Sequence, residues 1–122
     1  MSKKTVIIGA STNPSRYAYV VAGMLSREGH EIIPLGIKKG EVFGKEILDI
    51  RKKPKIENTD TVTLYIGLRH QPEWYEYILS LKPKRVIFNP GTENYEFENR
   101  IKQSGAEALE ACTLVMLRSG QY

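Results

Sequence analysis

The chain has 122 residues, of which 41% are hydrophobic and 26% are charged, values typical of a globular protein with a buried core. Its modest net charge of +4, with no basic stretch interleaved with aromatic residues, argues against nucleic-acid binding, and no apolar run approaches the ~20 residues of a membrane span. The single cysteine, Cys112, excludes an internal disulfide and a cysteine-based zinc site, so we expect no metal and a cytoplasmic location. The length predicts one domain over residues 1–122.

The first half of the chain predicts two strands joined by a helix. Lys4–Ile8 is a strand that stops at a glycine, and its continuous apolar run predicts burial on both faces. Apolar residues then recur at helical spacing over Ala18–Glu28, and Gly29 ends that helix. Glu31–Leu35 is the second strand. Gly36–Gly44 is a glycine-rich loop, and the segment from there to residue 50 is ambiguous between a short extended piece and a helical turn.

The second half repeats this alternation of strands and helices. A β-branched run predicts a strand at Thr61–Ile66, and Pro72 suits the first turn of a helix over Gln71–Leu81. Arg85–Phe88 is the fourth strand, and an Asn-Pro-Gly-Thr turn follows it. The remaining predicted elements are a helix over Glu93–Ser104, a fifth strand at Ala106–Glu110 and a last helical turn at Leu114–Leu117.

This alternation predicts an α/β protein with a Rossmann-like three-layer fold, in which helices cover both faces of a mostly parallel five-stranded sheet. Ligands of such sheets lie beyond the carboxyl ends of the strands, where the winding direction reverses. Glycine-containing loops with basic or amide side chains follow four of the predicted strands, at Gly9–Arg16, Gly36–Lys39, Gly67–His70 and Asn89–Thr92. These loops form the predicted binding edge.

The loop after the first strand has the features of a phosphate-binding turn. Gly9 and Ala10 leave the backbone open to close approach by an anion. Small polar residues then lead into a helix N-terminus, with its unpaired amides and partial positive charge. Arg16 can pair with a phosphate, and Ser11 either contacts phosphate or caps the helix. We therefore predict that this loop binds a nucleotide-like phosphate compound.

The chain lacks the sequence fingerprint of dinucleotide-binding proteins, which limits the kinds of ligand it can bind. The dinucleotide fingerprint needs a second glycine where Ala10 and Ser11 stand, and a carboxylate at the end of the second strand. Lys38 and Lys39 follow that strand instead, and they would attract a phosphate on a ribose. This pattern argues against NAD and leaves coenzyme A (CoA), with its 3′-phosphate, and NADP, with its 2′-phosphate.

The sequence resembles the CoA-binding domain family, stand-alone relatives of the N-terminal domain of the succinyl-CoA synthetase alpha subunit. The resemblance rests on Val-Ile-Ile-Gly-Ala-Ser-Thr-Asn-Pro-Ser-Arg-Tyr at residues 6–17, on Gly-His-Glu-Ile-Ile-Pro at 29–34 and on Glu-Val-Phe-Gly at 41–44. It covers nearly the whole chain. It implies a compact α/β domain that binds CoA or an acyl-CoA along the strand ends, without chemistry of its own.

The resemblance also implies which residues hold the ligand. Ser11 and the turn at residues 13–16 would hold the pyrophosphate, and Lys38 or Lys39 would meet the ribose phosphate or the adenine side. Residues 66–68 and 89–91 would flank the rest of the ligand. The complete predicted cofactor-binding set is Gly9, Ala10, Ser11, Thr12, Asn13, Pro14, Arg16, Lys38, Lys39, Gly67, Asn89 and Gly91. No catalytic residue is predicted, because a single histidine such as His70 has no recognisable partner.

Two other functions stay open. An NADP-type nucleotide-binding protein would need a nicotinamide site and a proton donor, which the sequence does not reveal. An interaction module that has lost its ligand is favoured by the turns at Gly36-Ile37 and Asn89-Pro90, which depart from the family's usual sequence. The seven tyrosines and the apolar segment Leu114–Leu117 are compatible with a homodimer or another protein partner.

Overall fold

The computed structural model describes residues 2–122. Its strands are β1 Thr5–Ile8, β2 Ile32–Gly36, β3 Glu41–Val42, β4 Lys45–Glu46, β5 Leu48–Asp49, β6 Thr61–Leu64, β7 Arg85–Phe88 and β8 Glu107–Glu110. Its α-helices are α1 Tyr17–Arg27, α2 Tyr75–Ser80, α3 Tyr95–Gln103 and α4 Thr113–Arg118. Short 3-10 turns occupy Ile50–Lys52, Leu68–His70 and Pro72–Trp74. None of the helices in residues 2–122 is long and apolar enough to cross a membrane.

Six of the strands form one parallel sheet in the order β5-β2-β1-β6-β7-β8, while β3 and β4 pair as a separate antiparallel hairpin. In the register of the central strands, Thr5 of β1 pairs with Ile32 of β2 on one side and with Thr61 of β6 on the other. The chain winds outward from β1 through β2 to β5, and then builds β6, β7 and β8 on the other side of β1. The winding direction therefore reverses between β1 and β6, where sheets of this order form a ligand crevice.

The predicted α/β fold is confirmed, but the predicted count of five strands in the sheet is wrong, because the sheet has six. The additional strand is β5, which pairs Leu48 with Leu35 and Asp49 with Gly36. Two residues are too few to show the alternation typical of a strand, so the sequence is ambiguous there. The hairpin of β3 and β4 also begins inside the predicted loop and turns at Phe43 and the next glycine, both with positive φ.

The sheet buries a separate core on each face, because successive side chains of a strand point to opposite sides. Ile7 of β1 lies in the apolar cluster that contains Val21 of α1 and the buried leucines of α4. Val6 and Ile8, its neighbours in the strand, lie in the other cluster with Phe97 of α3 and the buried residues of α2. Helices α1 and α4 therefore cover one face and α2 and α3 cover the other, which gives the three predicted layers.

The helix predicted over Gln71–Leu81 is shorter than expected, since 3-10 turns occupy its first residues and α2 begins after Trp74. The Gln71 amide donates to the Leu68 carbonyl, and the Trp74 amide donates to the Gln71 carbonyl, three residues back in each case. This is the hydrogen-bond pattern of a 3-10 turn rather than of an α-helix. Apolar spacing alone does not distinguish the two over so short a segment.

Candidate ligand-binding site

A cleft of about 910 Å³ opens at the carboxyl ends of the four central strands. It is lined by residues 9–13 and 16–18 after β1, residues 36–39 after β2, residues 65–67 after β6 and residues 90–92 after β7. Small-molecule sites commonly enclose ~300–1,000 Å³, so the cleft has room for a ligand of cofactor size. Ten of the twelve residues predicted to bind the cofactor line it: Gly9, Ala10, Ser11, Thr12, Asn13, Arg16, Lys38, Lys39, Gly67 and Gly91.

The beginning of the loop after β1 is held against β2 by its own backbone. Gly9 has a φ of 96°, and a Cβ at this position would lie 3.0 Å from the Tyr65 carbonyl oxygen, so only glycine fits without strain. The amides of Gly9 and Ala10 both donate to the Leu35 carbonyl, at 3.0 and 2.9 Å. These two amides are therefore satisfied within the protein, and the two residues shape the cleft without offering free donors.

Asn13 organises the rest of this loop. Its side-chain oxygen accepts from the Ser15 amide at 3.0 Å and from the Ser15 hydroxyl at 2.8 Å. Its carbonyl accepts from the Arg16 amide at 3.0 Å, and its own amide donates to the Ser11 hydroxyl oxygen at 3.0 Å. The alternative that Ser11 caps the helix is wrong, because Arg16 occupies the N-cap position. The Ser11 hydroxyl thus keeps its proton available for a ligand.

Several backbone donors at this end of the cleft have no partner. Within residues 2–122, no protein acceptor is in reach of the amides of Ser11, Thr12, Tyr17 and Ala18, all of which line the cleft. The next two helical amides donate to the Arg16 carbonyl. Helix α1 has 11 residues and no acidic side chain in its first turn. The free amides and the positive end of the helix together favour an anion at this place.

Three cationic side chains lie around the same part of the cleft. Arg16, Lys38 and Lys39 line it, and all three are exposed. In the described part of the chain, none of them forms an ion pair. Among the described residues Glu73 is the only carboxylate in the lining, and it stands on the segment that leads from β6 into α2. Among the described residues, the lining beyond β1 and β2 therefore carries positive charge and no carboxylate.

The other end of the cleft, beyond β6 and β7, is held by one buried amide side chain. Gln71 is fully buried, and its Nε2 donates to the Ile66 carbonyl at 3.0 Å and to the Thr92 carbonyl at 2.8 Å. Its Oε1 accepts from Asn94 Nδ2 at 2.9 Å. Gln71 thus ties the loop after β6 to the loop after β7, and these two loops form the walls of this end of the cleft.

Two predicted binding residues, Pro14 and Asn89, are not part of the cleft lining. Asn89 is only 2% exposed, and every polar atom of its side chain is used inside the protein. Its Nδ2 donates to Thr63 Oγ1 at 2.7 Å and to the Leu64 carbonyl at 2.8 Å, while its Oδ1 accepts from the Thr113 amide at 2.9 Å. Asn89 therefore joins the ends of β6 and β7 to the start of α4, and it has no free group for a ligand.

The structure adds apolar and aromatic side chains that the sequence analysis did not assign to the site. Tyr17 is 65% exposed and Ile37 is 64% exposed, and both line the cleft beside the cationic residues. In the sequence, their place in the site is indicated by their position directly beside Arg16 and Lys38. Tyr65 also lines the cleft, and burial raises its pKa to about 12, so its hydroxyl stays protonated at neutral pH.

The arrangement is chemically suited to binding an anion with an apolar portion. Amides and a hydroxyl supply hydrogen-bond donors, the cations supply charge, and the exposed Tyr17 and Ile37 supply apolar surface. His70 and Glu73 line the opposite end, where His70 is exposed. Within residues 2–122, no group of three or more His, Cys, Asp or Glu side chains could hold a metal ion.

The strand order and the cleft at the reversal point define a doubly wound α/β domain of the Rossmann type. The sequence model of the CoA binding domain family matches residues 3–118. The chain therefore belongs to the CoA binding domain family, as the resemblance predicts. No curated protein matches it.

Three solved structures share this fold over 83–99% of their own length. A crystal structure of an uncharacterized protein is 55% identical, with a TM-score of 0.96 over 100% of this chain and 99% of that one. Cell-free ID.343 from Thermus thermophilus is 23% identical, with a TM-score of 0.86 over 99% of this chain and 91% of that one. A hypothetical protein from Pyrococcus horikoshii OT3 is 24% identical, with a TM-score of 0.83 over 97% and 83%. The two structures of lower identity support the fold alone.

Proposed function

We propose that this protein binds coenzyme A or an acyl-CoA in the cleft and carries out no chemistry of its own. One observation carries the proposal: in the described chain, four unpaired amides and three unpaired cationic side chains surround one end of the cleft. CoA has a pyrophosphate and a 3′-phosphate, and anions of this kind form strong, charge-assisted hydrogen bonds with such groups. Membership of the CoA binding domain family supports the same ligand.

In this proposal the ligand follows the order of the strands across the sheet. The pyrophosphate lies on Ser11, Thr12 and the first turn of α1, where the free amides donate to it, and Arg16 pairs with it from the N-cap. The 3′-phosphate lies near Lys38 and Lys39 after β2. The pantetheine arm then runs past the loops after β6 and β7, toward the end of the cleft with less positive charge.

Replacing Arg16 by alanine should weaken CoA binding about tenfold or more, because hydrogen bonds to charged groups contribute about 1.5–3 kcal/mol. The melting temperature without ligand should stay nearly unchanged, since the side chain is exposed and forms no ion pair with a described residue. Calorimetric titration with CoA measures the first effect. Arg27→Ala, at the other end of α1, is the matched control and should bind CoA as the wild type does. Equal affinities of the two variants would contradict the position given to the pyrophosphate.

Dephospho-CoA, which lacks the 3′-phosphate, tests the two lysines. The wild type should bind it about two- to thirtyfold more weakly than CoA, since two exposed ion pairs are lost and each contributes about 0.2–1 kcal/mol. The double variant Lys38→Gln/Lys39→Gln should bind the two ligands almost equally in equilibrium dialysis. The control Lys45→Gln/Lys102→Gln removes the same charge from exposed positions outside the cleft and should keep the wild-type preference. A persistent preference in the first double variant would contradict the proposal for the 3′-phosphate.

The same titrations separate this proposal from the two functions left open by the sequence. Binding of NADP without binding of CoA would identify an NADP-type protein. The absence of any heat with CoA, acetyl-CoA, NADP and NAD would favour an interaction module. As the setting of this function we propose the cytoplasm, on the ground that the sequence has one cysteine and no disulfide can form within the chain.

A further inference from the structure

A second groove lies at the amino-terminal edge of the sheet, opposite the edge that carries the CoA cleft. Its volume is about 1000 Å³. One wall is the irregular segment of residues 53–60 before β6, and the other is formed by the end of α2 and the turn before β7. Tyr77 of α2 joins the walls, because its hydroxyl donates to the Pro54 carbonyl at 2.6 Å. The groove is therefore a built feature of the fold, held by a side chain that is itself buried.

The lining of this groove has an excess of positive charge. Its charged residues are Lys53, Lys55, Lys82 and Lys84, with Glu57, Asp60 and Glu76. Two of the carboxylates are already engaged, since Asp60 lies 4.0 Å from the Lys84 amine and Glu76 lies 3.5 Å from the Arg100 guanidinium. Among the described residues, Lys53, Lys55 and Lys82 have no carboxylate partner, and Glu57 is the one unpaired acid of the lining. The groove therefore favours an anion.

A hydroxyl in the wall of the groove has no hydrogen-bond partner. Thr59 lines the groove and is 4% exposed, and its Oγ1 is the one buried side-chain polar atom without a partner in residues 2–122. Native proteins pair nearly all such atoms, because an unpaired buried donor costs stability. The wall of the groove therefore holds a polar group that the described residues leave without a partner.

The backbone of the same wall also offers free donors. In the described chain, the five consecutive amides of residues 55–59 have no acceptor. Three residues of the lining have left-handed φ values, 46° at Lys53, 59° at Asn58 and 50° at Lys82. Lys53 and Lys82 directly follow helical turns, where their amides donate to the Ile50 and Leu79 carbonyls, so at these two positions the left-handed conformation ends the turn. The free amides of residues 55–59, rather than these φ values, therefore favour a ligand at this wall.

We propose that this groove binds a second ligand, a phosphorylated small molecule with an apolar body, such as a nucleoside diphosphate. The unpaired lysines and the free amides hold its phosphates, and the Thr59 hydroxyl donates to it. Ile56, Tyr77 and Leu81 supply the apolar part of the lining and contact the body of the ligand. This inference also gives a role to Lys53 and Lys55, which line the groove and not the CoA cleft.

The test is a titration of the 15N-labelled protein with ADP, followed by the amide resonances, with and without saturating CoA. The chemical shifts of residues 55–59 should change until the site is saturated, both with and without CoA. Because CoA occupies the cleft at the other edge in one series, an equal response in both assigns ADP to a separate site. Lys55→Gln/Lys82→Gln should weaken this response about tenfold, because charge-assisted hydrogen bonds are lost. Thr59→Val, a change of similar shape, should weaken it as well. The control Lys45→Gln/Lys102→Gln should respond like the wild type.

Three results would overturn the inference. One is the absence of any shift at residues 55–59 with millimolar ADP. Another is an equal response from the lysine variant of the groove and from the control variant. The third is a shift with a glutamate-rich peptide but none with ADP, which would assign the groove to an acidic protein partner. Stronger binding of ADP than of inorganic pyrophosphate would support the contact between the apolar lining and the ligand body. Each of these results stands whether or not CoA binds the other cleft.

Discussion

Replacing Asn89 by leucine should lower the free energy of unfolding by about 3–5 kcal/mol, because buried polar groups lose their partners. The Asn89 side chain makes three hydrogen bonds, to Thr63, to the Leu64 carbonyl and from the Thr113 amide. Leucine fills a similar volume but leaves the carbonyl and the amide unpaired in the protein interior. Urea unfolding followed by circular dichroism measures the loss.

The matched control for this change is Asn99→Leu. Asn99 is half-buried on α3, and no side-chain hydrogen bond joins it to another described residue. Its replacement should change the free energy of unfolding by less than about 1 kcal/mol, as substitutions outside such networks usually do. Similar losses in the two variants would contradict the internal role assigned to Asn89 and would return its amide to the set of possible ligand contacts.

Replacing Gly9 by alanine should cost about 2–4 kcal/mol of stability and should weaken CoA binding, because it combines a left-handed backbone with a close contact. The φ of Gly9 is 96°, and the added Cβ would lie 3.0 Å from the Tyr65 carbonyl oxygen and 3.1 Å from the Ile66 Cγ2. The carbonyl belongs to the strand end next to β1 and cannot move without disturbing the sheet. Urea unfolding and CoA titration of the variant measure the two effects.

The variant Gly29→Ala separates the cost of the left-handed backbone from the cost of the close contact. Gly29 has a φ of 85°, but a Cβ there would meet nothing within 4 Å. This variant should therefore lose only about 1–2 kcal/mol, the cost of the left-handed conformation, and should bind CoA normally. An equal loss of stability at the two glycines would show that the contact with Tyr65 is easily relieved.

The main elements of the fold could be predicted from the sequence because their patterns are local. The apolar run before Gly9 and the helical spacing after Arg16 correspond to β1 and α1. The strand β5 could not be predicted, since its two residues are a strand only through their pairing with Leu35 and Gly36. Gly36 itself shows how closely this region is packed, because a Cβ there would lie 2.9 Å from the Ala10 carbonyl oxygen.

The loops of the candidate site could be predicted because the ends of parallel strands meet at one edge of a sheet. The role of each side chain in those loops could not. An asparagine directly after a strand gives the same sequence pattern whether or not its side chain contacts a ligand. The Asn89 side chain instead forms hydrogen bonds with Thr63 and Thr113 in the interior. The groove at the other edge could not be predicted from the sequence either. It depends on the hydrogen bond from the Tyr77 hydroxyl to the Pro54 carbonyl, which joins residues 23 positions apart.

The central claim is that the pyrophosphate of CoA lies on the free amides of the loop after β1 and of the first turn of α1. Titration of the 15N-labelled protein with CoA, followed by amide NMR, tests it most directly. The four resonances to follow are those of Ser11, Thr12, Tyr17 and Ala18. We predict that they move strongly downfield as the amides donate to phosphate, while those of Gly9 and Ala10, already bonded to the Leu35 carbonyl, move much less. Saturable binding of CoA that leaves the four resonances in place would contradict this account.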